Sequence, residues 1–145
     1  MTPTSVREAV AHGHKVLVET GAGNGIGMDD DAYRSAGADI ADTAKEVFDK
    51  AEMIVKVKEP LADERAMLSK GQVLFTYLHL APDPEQTKDL VDSGATCIAY
   101  ETVTGRTGGL PLLAPMSEVA GRLSIQAGAY YLEKAHGGHG VLLGG

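Results

Sequence analysis

The sequence lacks an excess of basic residues. Its 145 residues include 13 lysines and arginines against 20 aspartates and glutamates, which gives a net charge of −7 and a pI near 5.1. Nucleic acids present a dense row of phosphates, and the proteins that bind them supply clustered positive charge. The composition therefore argues against a DNA- or RNA-binding function.

Long apolar runs are missing as well. No stretch is long enough to cross a bilayer, and the first ten residues, MTPTSVREAV, hold no apolar core of the kind that a secretion signal needs. The single cysteine, Cys97, excludes an internal disulfide and fits a reducing compartment. It lies in the apolar run TCIAY and is predicted to be a small core residue. These absences favour a globular, cytoplasmic protein.

The apolar residues that are present follow two alternating periodicities. Short β-type runs are separated by segments with helical spacing and with residues typical of helix ends. The predicted strands are KVLVE, a short strand before DTAKEVFDKA, MIVKV, QVLFTY and TCIAYE. Such alternation predicts an α/β fold, a doubly wound, mostly parallel, Rossmann-like sheet with helices on both faces. No linker or repeat is visible, so residues 1–145 are predicted to form one domain.

Several helix boundaries can be predicted from single residues. Thr2 and Pro3 begin the first helix, Asp42 is predicted to cap DTAKEVFDKA, and Pro84 and Gly94 bound DPEQTKDLVDSG. The last helix, PMSEVAGRLSIQAGAYYLEK, carries a helical apolar stripe. Its members are Met116, Val119, Ala120, Leu123, Ala127 and Tyr130.

The segment KVLVETGAGNGIG resembles a dinucleotide-binding turn because glycines follow a predicted strand. That fingerprint needs glycines at positions i, i+2 and i+5, but i+5 is Ile26 when counting from Gly21 and Met28 when counting from Gly23. The aspartates at 29–31 follow at once and would repel a pyrophosphate. We interpret the loop as a structural turn; a phosphate site or a close approach to a partner domain are the alternatives.

Polar residues at strand ends are the better candidates, since open parallel sheets bind ligands at the carboxyl ends of their strands. Lys58 follows MIVKV next to the rigid Pro60, and its ammonium suits a substrate carboxylate; a solvated surface lysine is the alternative. His79 follows VLFTY and suits general acid/base chemistry; a core histidine is the alternative. Lys56 lies on the same strand face. It either shares the role of Lys58 or extends its side chain past the sheet edge so that the ammonium reaches solvent.

The other histidines are weaker candidates. His12 and His14 lie at a helix end, and His136 and His139 lie in the loop HGGHG without further ligands, so no metal site is predicted.

Four segments together resemble the N-terminal domain of alanine dehydrogenases. They are KVKEP at 56–60, FTYLHLA at 75–81, IAYETV at 98–103 and LPLLAPMSEVAGR at 110–122. The likeness runs along essentially the whole chain. The α subunit of proton-translocating nicotinamide nucleotide transhydrogenase shares the fold and is the alternative.

The resemblance implies a function and a set of site residues. Alanine dehydrogenases oxidise L-alanine with NAD and water to pyruvate, ammonium and NADH, as cytoplasmic homo-oligomers that act on small molecules. By this resemblance His79 is the catalytic acid/base, Lys58 binds the substrate, Met116 lines the pyruvate pocket and Ser117 approaches the nucleotide.

The sequence also departs from the family pattern. In the family, a strand and a loop with a substrate-binding arginine precede the TP motif, whereas here only Met1 precedes Thr2. The family's NAD-binding domain, with its glycine fingerprint and a catalytic aspartate, follows the final GG. We therefore expect a substrate domain trimmed at both ends, with little or no dehydrogenase activity alone. A non-catalytic fragment that retains the fold is the remaining alternative.

Overall fold

The computed structural model describes residues 1–144. Two compact units are present, the first covering Met1–Ala99 and the second beginning at Tyr100. The organisation of residues 1–145 as one domain stays a prediction.

The first unit alternates helices and strands throughout. Its elements are α1 (Pro3–Ala11), β1 (Leu17–Glu19), a 3-10 turn (Asn24–Ile26), α2 (Asp30–Ser35), β2 (Asp39–Ala41), α3 (Ala44–Lys50), β3 (Met53–Val55), α4 (Ala62–Arg65), β4 (Val73–Thr76), α5 (Pro84–Ser93) and β5 (Thr96–Ala99). The second unit contains a 3-10 turn (Tyr100–Thr102), the long helix α6 (Ala114–Leu132) and a 3-10 turn (Lys134–His136).

All strand pairs are parallel, and they form two hydrogen-bonded sheets. β1 pairs with β2, and β3, β4 and β5 lie side by side with β4 in the centre. The register places Val55 opposite Phe75, and Thr76 opposite Ala99. The predicted α/β fold with parallel strands flanked by helices is confirmed, although the ladders form two sheets instead of one.

Each sheet has its own apolar core. The core under β3–β5 consists of Phe48, Ile54, Leu68, Leu74, Leu78 and Leu90, and the core beside β1 and β2 consists of Val6, Tyr33, Ala36 and Ala38. Cys97 packs against the first core but is only half-buried, because β5 is an edge strand with alternate residues exposed. This partial burial raises the pKa of the Cys97 thiol above its ordinary value.

Most predicted helix ends are confirmed, and one is wrong. The Thr2 hydroxyl accepts from the Ser5 N–H, and Gly94 ends α5 with φ 68°. The cap of α3 is Thr43, whose hydroxyl accepts from the Glu46 N–H at 3.2 Å, and not Asp42. Asp42 lies one residue too early, so only its backbone N–H contributes, by donating to the Glu46 carboxylate.

The apolar stripe of α6 is not buried. Within the described chain no residue of α6 is buried, and Met116, Val119, Leu123 and Tyr130 are each about half exposed or more. Helical spacing predicted the helix correctly but could not show what covers it. No helix among residues 1–144 combines the length and apolarity needed to cross a membrane.

Candidate active site

The chain segments that leave β3 and β4 stay paired beyond the strands. The Lys56 N–H donates to the Phe75 carbonyl at 3.3 Å, and the Tyr77 N–H donates to the Val57 carbonyl at 3.2 Å. Parallel strands end at the same edge of a sheet, so this pairing carries the residues after β3 alongside those after β4.

A buried threonine fixes the exit of β3. Thr76, the last residue of β4, is 0% exposed, and its hydroxyl lies 3.0 Å from the Val57 carbonyl oxygen and 2.9 Å from that of Lys58. The backbone of Lys58 is therefore held to the sheet. Its side chain points into solvent, with 81% of its surface exposed.

Three ionisable groups share this edge. The Lys58 ammonium lies 3.6 Å from the Glu59 carboxylate. The pKa of Glu59 is lowered from its ordinary value, chiefly because the carboxylate accepts from its own backbone N–H, and further by the charges of Lys58 and His79. His79 is thus within electrostatic range of Glu59, and the sheet edge brings Lys58, Glu59 and His79 together.

His79 has an unusual backbone conformation. Its φ is 46°, and it is the one residue other than glycine in the described chain with positive φ. Leu78 just before it is buried, whereas His79 itself is exposed, so the alternative of a core histidine does not fit. Left-handed backbone at a non-glycine residue is strained, and such strain is concentrated at functional sites.

Lys56 does not share the exposed position of Lys58. Its ammonium pairs with the Glu64 carboxylate, and both side chains are mostly buried, at 23% and 18% exposed. The same carboxylate accepts from the Leu61 N–H at 2.7 Å. The ion pair of Lys56 with Glu64 therefore links the end of β3 to α4.

Met116 and Ser117 lie next to each other in the first turn of α6, in the second unit. Met116 is 50% exposed, and the Ser117 hydroxyl donates to the Leu113 carbonyl at 3.4 Å. Their roles toward substrate and nucleotide stay predictions.

The glycine loop after β1 is organised by its own carboxylate. Asp30 accepts from the Thr20 hydroxyl at 2.6 Å and from the Gly21 N–H at 2.8 Å, and these bonds lower the pKa of Asp30. A Cβ at Gly23 would lie 2.3 Å from the Met28 carbonyl oxygen and 2.6 Å from the Tyr33 ring. An anionic pyrophosphate would meet a carboxylate here, so these residues do not fit a nicotinamide nucleotide.

The remaining histidines are engaged locally or exposed. His12 contacts the Glu8 carbonyl at 2.9 Å, and His136 stacks on the Tyr130 ring and lies 3.3 Å from the Glu133 carboxylate. Within residues 1–144, no group of three or more histidine, cysteine, aspartate or glutamate side chains is arranged to hold a metal ion.

Three residues that contribute to this edge were not predicted from the sequence. Glu59 stands between Lys58 and Pro60 in the sequence, but its charge alone does not predict a function for it. Thr76 is a hydroxyl within an apolar strand, a signal that could have been read as a buried hydrogen-bond donor. Gln86 lies inside α5, and its Nε2 donates to the carbonyl oxygen of Leu78, just before His79, at 2.5 Å. It gave no signal in the sequence, because glutamine is an ordinary helix residue.

Comparisons with known proteins agree with this geometry. Residues 1–120 match the model of the family described as alanine dehydrogenase/PNT, N-terminal domain. Alanine dehydrogenases of Methanococcus maripaludis, Halomonas elongata and Bacillus subtilis are 61%, 60% and 58% identical over all of this chain. The chain spans about two fifths of the length of these relatives, 39%, 39% and 38% respectively.

Two solved structures are also similar. An L-alanine dehydrogenase superposes with a TM-score of 0.90 at 53% identity, over 100% of this chain and 40% of that one. A transhydrogenase from Sinorhizobium meliloti superposes with a TM-score of 0.66 at 30% identity, over 72% of this chain and 31% of that one. The family match covers most of the sequence, and the chain therefore belongs to the alanine dehydrogenase/PNT N-terminal domain family.

Proposed function

We propose that this chain is the substrate-binding part of an NAD-dependent L-alanine dehydrogenase, which converts L-alanine, NAD and water to pyruvate, ammonium and NADH. One observation carries the proposal: the exposed Lys58 and His79 follow neighbouring parallel strands and both act on the Glu59 carboxyl. Relatives that bear the name alanine dehydrogenase and align with the whole chain support this choice of substrate.

Lys58 binds the acid end of the substrate. L-Alanine and pyruvate both carry a carboxylate, and an ammonium on a fixed backbone attracts it and polarises the neighbouring carbonyl. Glu59 competes for this ammonium at 3.6 Å, so substrate binding replaces a weak intramolecular pair. For Met116, lining of the pyruvate pocket is proposed on the family resemblance alone.

His79 moves the protons. Ammonia adds to the pyruvate carbonyl to give a carbinolamine, which must gain a proton before it loses water, and an imidazole exchanges protons near neutral pH. In the oxidative direction the same ring accepts the proton from the attacking water. A bound nicotinamide cofactor would supply the hydride chemistry, and the proposed role of Ser117 is to contact that nucleotide.

We expect the 145-residue chain to have little or no activity alone. Hydride transfer requires a cofactor held within contact distance, and the glycine loop of the described chain does not fit one. Incubation with L-alanine and NAD should give no steady rise in NADH absorbance; a steady rise would contradict this expectation.

Pyruvate titration of the isotope-labelled chain tests the binding role directly. We expect NMR shifts concentrated at residues 57–60 and 77–80, lost in Lys58→Met. Lys70→Met is the matched control, since Lys70 is an exposed lysine at the opposite, amino end of β4. No shift at millimolar pyruvate, or equal loss in both variants, would leave a non-catalytic fragment as the better description.

A transhydrogenase α subunit is the second candidate, favoured by the similarity over 72% of the chain. The flanking coding sequence separates the two. An upstream strand with an arginine and a downstream GxGxxG favour alanine dehydrogenase, whereas membrane-spanning segments favour transhydrogenase. Homo-oligomeric assembly of the whole protein stays a prediction that light scattering can check.

A further inference from the structure

Gln86 connects the start of α5 to the segment that carries His79. It is 1% exposed. Its backbone N–H donates at 2.9 Å to the carboxylate of Asp83, the residue that caps the start of α5. Its side-chain amide donates from Nε2 to the Leu78 carbonyl oxygen at 2.5 Å. A glutamine buried in a helix is therefore bonded to the residue just before His79.

This hydrogen bond bears on the conformation of His79 for a geometric reason. The Leu78 carbonyl belongs to the planar peptide that joins Leu78 to His79, and φ of His79 is the rotation that follows this plane. Fixing the carbonyl fixes the plane. The φ of 46° is unfavourable for a residue with a Cβ and persists only where the surroundings impose it.

The side-chain oxygen of Gln86, Oε1, indicates that a contribution to stability alone does not explain why glutamine occupies this position. Its Oε1 is buried without a hydrogen-bond partner in the described chain. An unpaired buried acceptor is unfavourable, and an apolar side chain of the same length would avoid it. What an apolar residue cannot supply is the donor to Leu78.

We propose that Gln86 is a positioning residue for His79, holding it in the left-handed conformation that presents its ring at the edge where Lys58 lies. The catalytic meaning of this position rests on the proposed function. The hydrogen bond from Gln86 acts on the backbone of His79 in the free chain, whatever the chain binds.

The test is Gln86→Met in the 145-residue chain, which keeps side-chain length and removes the donor. Scalar and residual dipolar couplings give φ of His79 without any ligand. We expect positive φ in the original chain and a shift toward negative φ in the variant. If the original chain binds pyruvate, the dissociation constant for pyruvate should be about tenfold higher in the variant. A tenfold change corresponds to the net free energy of one hydrogen bond, here the one that holds His79 ready for binding.

Gln72→Met is the matched control. Gln72 is also a buried glutamine, and its Nε2 donates to the Phe48 and Ala51 carbonyls at the opposite end of β4. It should destabilise the fold without changing φ of His79. Unchanged φ in Gln86→Met, or an equal change in both variants, would overturn the proposal.

A measurement on the unaltered chain covers the case in which Gln86→Met does not fold. One Gln86 side-chain amide proton should exchange slowly with solvent, and fast exchange of both would overturn the proposal. If pyruvate fails to bind while His79 keeps positive φ only with Gln86 present, the proposed function fails and the positioning role stands.

Discussion

The Thr76 hydroxyl lies 2.9 Å from the carbonyl oxygen of Lys58, across the two strand ends that form the candidate site. Thr76 is completely buried, and the same hydroxyl lies 3.0 Å from the Val57 carbonyl. A side chain inside β4 thus fixes the backbone position from which the exposed Lys58 side chain extends. The lysine is free to reach a substrate, while its backbone is not free to move.

Thr76→Val should therefore weaken both the fold and the position of Lys58. Valine matches the shape of threonine but removes the hydroxyl donor from the Lys58 carbonyl and from the Val57 carbonyl, which keeps only the Tyr77 N–H. The free energy of unfolding should therefore fall by about 1–3 kcal/mol. Denaturant unfolding measures this, and hydrogen exchange should be faster at the amides of residues 57–59.

Thr96→Val serves as the control for that substitution, because Thr96 is also a strand residue but is exposed in β5. Its stability should stay within about 0.5 kcal/mol of the original. Equal losses for the two variants would show that the hydroxyl of Thr76 has no special contact.

Gly23→Ala tests the structural interpretation of the glycine loop. A Cβ there would lie 2.3 Å from the Met28 carbonyl oxygen and 2.6 Å from Tyr33, so the packing beneath α2 must shift. We expect a loss of about 1–3 kcal/mol in the free energy of unfolding, as for an overpacked core. Thermal or denaturant unfolding gives the value.

The comparison variant is Gly25→Ala, two residues along the same loop, where nothing lies within 4 Å of the added Cβ. Alanine there should be neutral or stabilising by up to about 1 kcal/mol, because it restricts the unfolded chain. A loop that tolerated alanine equally at both positions would not have the packing described for Gly23.

The fold was largely predictable because its sequence signals are local. Strand runs, the cap at Thr2 and the terminator at Gly94 each depend on neighbours a few residues away, and all are present. The cap of α3 was misplaced by one residue because Asp42 and Thr43 are both good capping residues. The path of the backbone into α3 decides whether the side-chain oxygen of Asp42 or that of Thr43 can reach the unpaired N–H groups of the first helical turn.

The candidate site was predictable only in part. The strand-end rule selected Lys58 and His79 without knowledge of the fold's details. It could not separate Lys58 from Lys56, because the partner of Lys56, Glu64, lies in a different element. The supports Thr76 and Gln86 act through hydrogen bonds across 18 and 8 residues, and no periodicity in the sequence records such contacts.

The carboxyl titration of Glu59 reports the geometry of the charged edge. Its folded pKa lies below the ordinary 4.5, so the ionised carboxylate stabilises the fold above pH 4.5, and this contribution is lost as the pH falls through the folded pKa. In Lys58→Met the pKa of Glu59 should rise. It should remain below 4.5, since the main cause, the bond from its own backbone N–H, is kept.

Carbon-13 NMR of the Glu59 side chain measures this pKa. His79→Gln should raise it by less than Lys58→Met does, and Lys70→Met, at the other end of β4, should leave it unchanged. A Glu59 pKa that is the same in Lys58→Met and in the original chain would contradict the 3.6 Å contact.

The strain at His79 can be measured by comparing two substitutions at the same residue. Both His79→Gly and His79→Ala remove the imidazole ring and all its interactions, so the backbone preference alone separates the two variants. Left-handed backbone costs alanine about 1–2 kcal/mol, and glycine nothing, while glycine costs about 0.5–1 kcal/mol through its freer unfolded chain. His79→Gly should therefore be more stable than His79→Ala, by up to about 1.5 kcal/mol. The same pair at Lys70, an exposed turn residue without positive φ, should show the opposite order. If alanine proved the more stable at both positions, φ of His79 would be negative in solution. The inverted order at His79 alone would show that the fold holds its candidate acid/base in a conformation that its own backbone disfavours.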